Sequence, residues 1–129
     1  SSRVSPTMFY PLLASVGDNN QMDRIVEYFY DTNKFYGEWI LPSTTRDDPL
    51  FLDQKYWRGS IWPPLNFLTY LSLRKSGYYR ASSELSEKSL ELIILSPGLI
   101  PLILGCFLNK KSNNALFFFS LFMTASINL

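Results

Sequence analysis

The run Arg46-Asp47-Asp48-Pro49-Leu50-Phe51-Leu52-Asp53-Gln54-Lys55-Tyr56-Trp57-Arg58-Gly59-Ser60-Ile61-Trp62-Pro63-Pro64-Leu65-Asn66 decides how this chain is read. It gathers three acids, two arginines, a tyrosine and two tryptophans into one window. A hydrophobic core has no use for that mixture, because a buried arginine or carboxylate is costly unless it finds a partner. A groove for a sugar does use it. Flat aromatic faces cover the apolar faces of a pyranose, and Arg, Asp, Asn and Gln hydrogen-bond its hydroxyls.

Outward from this run the chain reads as helices around a long loop. Downstream, Ser60 is an N-cap candidate and Pro63 and Pro64 fall in a first helical turn, where their missing amides cost nothing. The helix is expected to reach about Lys75, apolar nearly all round and so buried on more than one side. Ser76-Gly77 supplies a glycine stop. A second helix is expected from Tyr78 to Leu92, with Ala81, Leu85, Leu90, Leu92 and Ile93 on its inner side. The two form an αα-hairpin. Upstream, Pro6 and Pro11 limit helix before Ser15 to about a turn. Met22, Ile25, Val26 and Phe29 recur at helical spacing after the turn Gly17-Asp18-Asn19-Asn20. Asp31 to Thr45 has no period and reads as a long ordered loop, with Phe35, Tyr36, Glu38 and Trp39 lining a cleft or packed beneath it.

The motif from Tyr56 to Asn66, with Arg46-Asp47-Asp48-Pro49 and Asp53-Gln54 before it, resembles the family 63 glycoside hydrolases. That group includes processing α-glucosidases and mannosylglycerate hydrolase-like enzymes. Phe9-Tyr10-Pro11-Leu12-Leu13-Ala14, Phe35-Tyr36-Gly37-Glu38, Leu41-Pro42-Ser43 and the stretch from Ala81 to Leu92 agree with it. The resemblance covers Pro6 to Leu92. It implies a mainly α fold, part of an (α/α)6 toroid of helical hairpins with a long substrate loop. It implies an inverting α-glycosidase whose general acid lies upstream and whose general base lies downstream of the Trp-Arg-Gly motif. Neither motif is present, so no catalytic residue is assigned. The chain is expected to be a piece of a longer protein, inactive alone, that partners the remainder of the parent catalytic domain.

Composition is compatible with this. A chain of 129 residues can bury a core. The net charge of +1 and scattered Lys and Arg lack the footprint of a nucleic-acid binder. There is no His and one Cys, which removes Ser-His triads, His-ligated metals and thiolate clusters. The six glycines stand apart, so no phosphate loop is present. No cofactor or metal is expected; carboxylates remain for chemistry. Compartment stays open between cytoplasm and endomembrane lumen.

The candidate substrate-binding residues are Tyr56, Trp57, Arg58, Gly59, Trp62, Asn66, Asp47 and Asp48. Each has a plainer reading. Trp57 could be core and Arg58 a clamp on Asp53. Asp47 and Asp48 could form an Asx-turn before Pro49 with an Arg46 ion pair. Trp62 could be a staple, with Asn66 capping a loop. Residues 1–92 are expected to form the glycosidase fragment. Residues 93–129 are an apolar tail without resemblance, read as read-through in preference to a membrane hairpin, whose apolar runs are short and hold proline and glycine. The alternative function is a non-catalytic helical module tethered to a membrane by that tail.

Overall fold

A computed structural model describes residues 3–95. The expectations for the tail beyond residue 95 lie outside the described residues. The fold is mainly helical; extended pairing among the described residues is confined to isolated bridges, Pro42 with Ile61 and Lys55 with Arg58.

A 3-10 turn over Pro6–Phe9 runs directly into α1, Tyr10–Ala14. This is longer than the single turn expected. Both prolines fall in the first two positions of their elements, where no amide donor is required. Ser15, left-handed at φ 55°, then ends the helix. The second helix, α2 (Asn19–Tyr30), opens with a capping box: Gln21 N donates to Asp18 Oδ1 at 2.9 Å, and Asp18 N to Gln21 Oε1 at 3.0 Å. Its inner stripe buries Val26 and Phe29, with Met22 and Ile25 partly covered.

Helix α3 (Pro63–Lys75) packs on both α1 and α4 (Tyr79–Leu95). Its N-cap is Trp62, with no side-chain cap bond. Ser60 therefore does not cap it. The Ser60 carbonyl accepts from Ser43 N at 2.9 Å, and Ile61 pairs with Pro42, so the backbone is still extended there. Between α3 and α4, Gly77 stands at φ +84° and Tyr78 N donates back to Leu73 O at 2.9 Å, a helix stop that glycine makes without strain.

Two packing expectations need correction. Helix α3 is buried on two sides, but the buried stripe carries Asn66, Thr69 and Ser72 beside Leu65 and Leu73, while Phe67 is exposed. On α4, Ala81, Leu85 and Leu92 are buried, whereas Leu90 is 55% exposed. At 3.6 residues per turn Leu90 lies half a turn away from Leu92. It faces out.

The core joins Phe9, Leu12, Phe29, Phe35, Leu73 and Leu85. Phe9 meets Phe29 edge-on at 6.3 Å and Phe35 at 5.6 Å. Each such ring contributes roughly 1.5–3 kcal/mol by leaving water. Phe35, Ile40 and Leu41 all come from the long loop and are fully buried. The loop after α2 is therefore part of the core, and it carries the candidate site at its far end.

Candidate functional site

The distal part of the loop is built to hold one short hairpin. Asp48 starts it: its Oδ1 accepts from Leu50 N at 2.8 Å, an Asx-turn across Pro49, and its backbone carbonyl accepts from Phe51 N. A single 3-10 turn follows, Phe51–Asp53. Lys55 and Arg58 then pair through their backbones, so Tyr56 and Trp57 form the hairpin tip. Tyr56 sits at φ 51°, which is rare for a bulky residue.

Three rings gather there. Trp57 stacks on Trp62 with centroids 4.8 Å apart and planes 14° apart. Tyr56 stands edge-on to both, at 5.6 and 5.2 Å. The Trp62 indole N–H donates to Tyr56 O at 2.8 Å, tying helix start to hairpin tip. Trp57 remains 50% exposed and Tyr56 65% exposed. Trp57 is thus not core: one face lies on Trp62 while half of its surface meets solvent. Alongside, Arg58 Nη1 donates to Asp53 Oδ2 at 2.9 Å, and both side chains are exposed. The pair adds about 0.2–1 kcal/mol at most, so its groups remain available for other hydrogen bonds.

The acids take different partners from those expected. Asp47 pairs with Lys34, and that bond holds its carboxyl below, and the Lys34 ammonium above, their ordinary ranges. Asp48 is largely covered and lies 3.7 Å from Arg3. Arg46 pairs with neither. Its guanidinium donates to the carbonyls of Tyr36 and Trp39 and lies over the Phe51 ring at 5.3 Å. Burial pushes its pKa down. Gly37 makes room for it, since a Cβ there would come within 2.5 Å of Nη2.

Asn66 shares a helical turn with Trp62 but faces inward, 4% exposed. Its Oδ1 accepts from Leu41 N at 3.1 Å; its Nδ2 donates to Ile40 O at 2.8 Å and to Ser89 Oγ at 3.2 Å. It clasps the loop backbone to α3 and α4. Glu38 is exposed, with its carbonyl bonded to Lys88; Trp39 is half-buried. Ser43 and Gln54 also shape the site, through Gly59 N to Ser43 Oγ at 3.2 Å and Gln54 Nε2 to Phe51 O at 2.8 Å. Both belong to stretches that carry the resemblance, but their roles were not legible in the sequence, because their partners are backbone atoms with no side-chain signal.

Two concavities lie elsewhere. One of about 310 Å³ separates α3 from α4, lined by Phe67, Tyr70, Leu85 and Leu90 among others. One of about 360 Å³ lies between the 3-10 turn and α2 near Arg3, Arg24 and Tyr28. Neither includes Tyr56, Trp57 or Arg58; the exposure of Tyr56 and Trp57 makes the aromatic trio an open wall in this chain. Among the described residues no cluster of acids could hold a metal, and no helix is long and apolar enough to cross a membrane.

A family model for the mannosylglycerate hydrolase MGH1-like glycoside hydrolase domain matches residues 2–99. The chain belongs to that family. Mannosylglycerate hydrolase MGH1 of Selaginella moellendorffii is 26% identical over 91 residues, covering 66% of this chain and 17% of that protein. Mannosyl-oligosaccharide glucosidase of Saccharomyces cerevisiae is 33% identical over 55 residues, 42% of this chain and 7% of that protein. An uncharacterized conserved protein from Thermus thermophilus superposes with a TM-score of 0.65 at 21% identity, over 73% of this chain and 23% of that one. That likeness shows the fold. The chain of this MGH1-like member thus spans about a sixth of the curated relatives that it matches over most of its own length.

Proposed function

We propose that this MGH1-like chain supplies one wall of the sugar-binding groove of an inverting α-glycosidase. The observation that carries the reading is Trp57, stacked on Trp62 and half exposed beside the Arg58–Asp53 pair. An indole face covers the apolar face of a pyranose, and the guanidinium and carboxylate reach the hydroxyls at its rim. Tyr56, Trp57, Arg58 and Trp62 form the wall. Gly59 lets the backbone pass close, Asp47 and Asp48 brace its approach, and Asn66 fixes the loop beneath.

The remainder of an (α/α)6 toroid supplies the facing wall and the catalytic carboxyls, which an inverting enzyme holds about 6.5–9.5 Å apart around a water. The substrates are α-glucosides or α-mannosides, such as glucosylated N-glycans, mannosylglycerate or glucosylglycerate. The chain alone binds sugar weakly and does not hydrolyse it. Tryptophan fluorescence titrated with methyl α-D-mannopyranoside and methyl α-D-glucopyranoside tests the wall; the change disappears in Trp57→Ala. Sugar-independent fluorescence would refute the wall, and release of reducing sugar by the 129-residue chain would refute the division of labour.

A further inference from the structure

The Phe51 carbonyl lies under the hairpin as a shared acceptor. Gln54 N donates to it at 3.3 Å and Gln54 Nε2 at 2.8 Å. Gly59, at φ +99°, crosses directly above: a Cβ there would come within 2.3 Å of that oxygen and 2.8 Å of Gln54 Nε2. Gln54 is itself left-handed at φ 48°, as is Tyr56 at φ 51°. The other end of the amide, Oε1, is buried with no hydrogen-bond partner. A buried acceptor without a partner works against stability. An aliphatic side chain of similar size would avoid it, so the amide is not explained by packing alone. What it adds is a donor fixed on Phe51 O, at the point where the two arms of the hairpin meet.

We propose that Gln54 is the positioning residue of the wall. It pegs the Phe51 carbonyl beneath Gly59, sets the angle at which residues 55–58 leave the loop, and so holds Trp57 flat on Trp62. Its effect on sugar affinity rests on the carbohydrate reading above; its effect on the hairpin does not. Residues at backbone conformations this unusual persist only where their surroundings over-determine them; Ser43 holds Gly59 N, Trp62 holds the tip, and Gln54 is the side chain that holds the base.

The test uses the whole chain and its Gln54→Leu variant, with the tryptophan exciton couplet in circular dichroism as a reading of the Trp57–Trp62 stack. Trp62→Phe identifies the couplet. Leu85→Ala, a core change that lowers the melting temperature, serves as the control that leaves the couplet in place. Gln54→Leu is expected to lose more than half of the couplet while its melting temperature stays near that of the parent. Its affinity for methyl α-D-mannopyranoside is expected to fall about tenfold. Should Gln54→Leu not fold, Gln54→Met carries the same comparison. A full couplet in a folded Gln54 variant overturns the positioning role. A lost couplet with unchanged sugar affinity, or a parent chain that binds neither methyl glycoside, overturns the carbohydrate reading instead.

Discussion

Replacing Asn66 with alanine removes an amide that serves two backbone groups of the loop. Leu41 N donates to its Oδ1 and Ile40 O accepts from its Nδ2, and both loop residues are fully buried. Without the amide both groups lose their protein partner. A buried polar group left unpaired costs about 1–3 kcal/mol, so the two together cost about 2–6 kcal/mol. Against a total stability of about 5–15 kcal/mol, that is a large share. Phe67→Ala, at the next position but 43% exposed, is the matched comparison. It should lose only about 1 kcal/mol, since roughly half of the ring's transfer energy is at stake. Asn66→Asp should not rescue, because it keeps the acceptor for Leu41 N, loses the donor to Ile40 O and buries a charge. Urea unfolding followed by fluorescence and far-ultraviolet circular dichroism gives all three values. If Asn66→Ala loses no more stability than Phe67→Ala, the clasp is not holding the loop and the reasoning fails.

Gly59→Ala should be the most damaging of the glycine changes, because its Cβ would strike a backbone oxygen at 2.3 Å at a left-handed φ; a melting curve far below that of the parent checks it. Gly37→Ala should cost about 1–3 kcal/mol by pushing the Arg46 guanidinium off the Tyr36 and Trp39 carbonyls. In an Arg46→Ala background the same change should cost little, and an additive double-mutant cycle would contradict that account. Tyr78 donates to Asp23 Oδ1 at 2.6 Å, and burial followed by that bond pushes its pKa from 10.0 up to about 12. The folded chain keeps a proton that the unfolded chain releases, so this stability is whole below pH 10 and drains away towards pH 12. Tyr78→Phe should therefore show a shallower alkaline loss of stability than the parent.

Legibility in the sequence followed the range of each interaction. Helix α2 was readable because its apolar stripe recurs within a dozen residues, although its cap, Asp18, lies inside the stretch expected to be turn. The start of α3 was readable from Pro63 and Pro64 to within two residues, its cap being Trp62 and not Ser60, and its end from Gly77. Its inner face was not. Asn66, Thr69 and Ser72 look like an outer surface until the buried loop backbone is placed against Asn66, 25 residues earlier in the chain. Leu90 differs from its expected place because two positions along a helix put it about half a turn in angle from Leu92. Around the wall, the aromatic trio was visible as composition. The partners were not, because Asp47 reaches Lys34 and Asp48 reaches Arg3, whereas the adjacent Arg46 spends its donors on carbonyls. A local ion pair is the natural guess from adjacency, but the fold turned the guanidinium the other way.

The end of α1 has a consequence for the order of assembly. Lys75 Nζ donates to Leu13 O at 2.8 Å and Ser76 Oγ to Leu12 O at 2.9 Å. These donors leave the ribosome more than sixty residues after the oxygens they serve. At roughly 5–20 residues per second, several seconds pass before they arrive. Until then solvent must satisfy Leu13 O, while Leu12 O has only Ser15 N at 3.2 Å, and α1 waits for the close of α3 before its last turn is fully sealed.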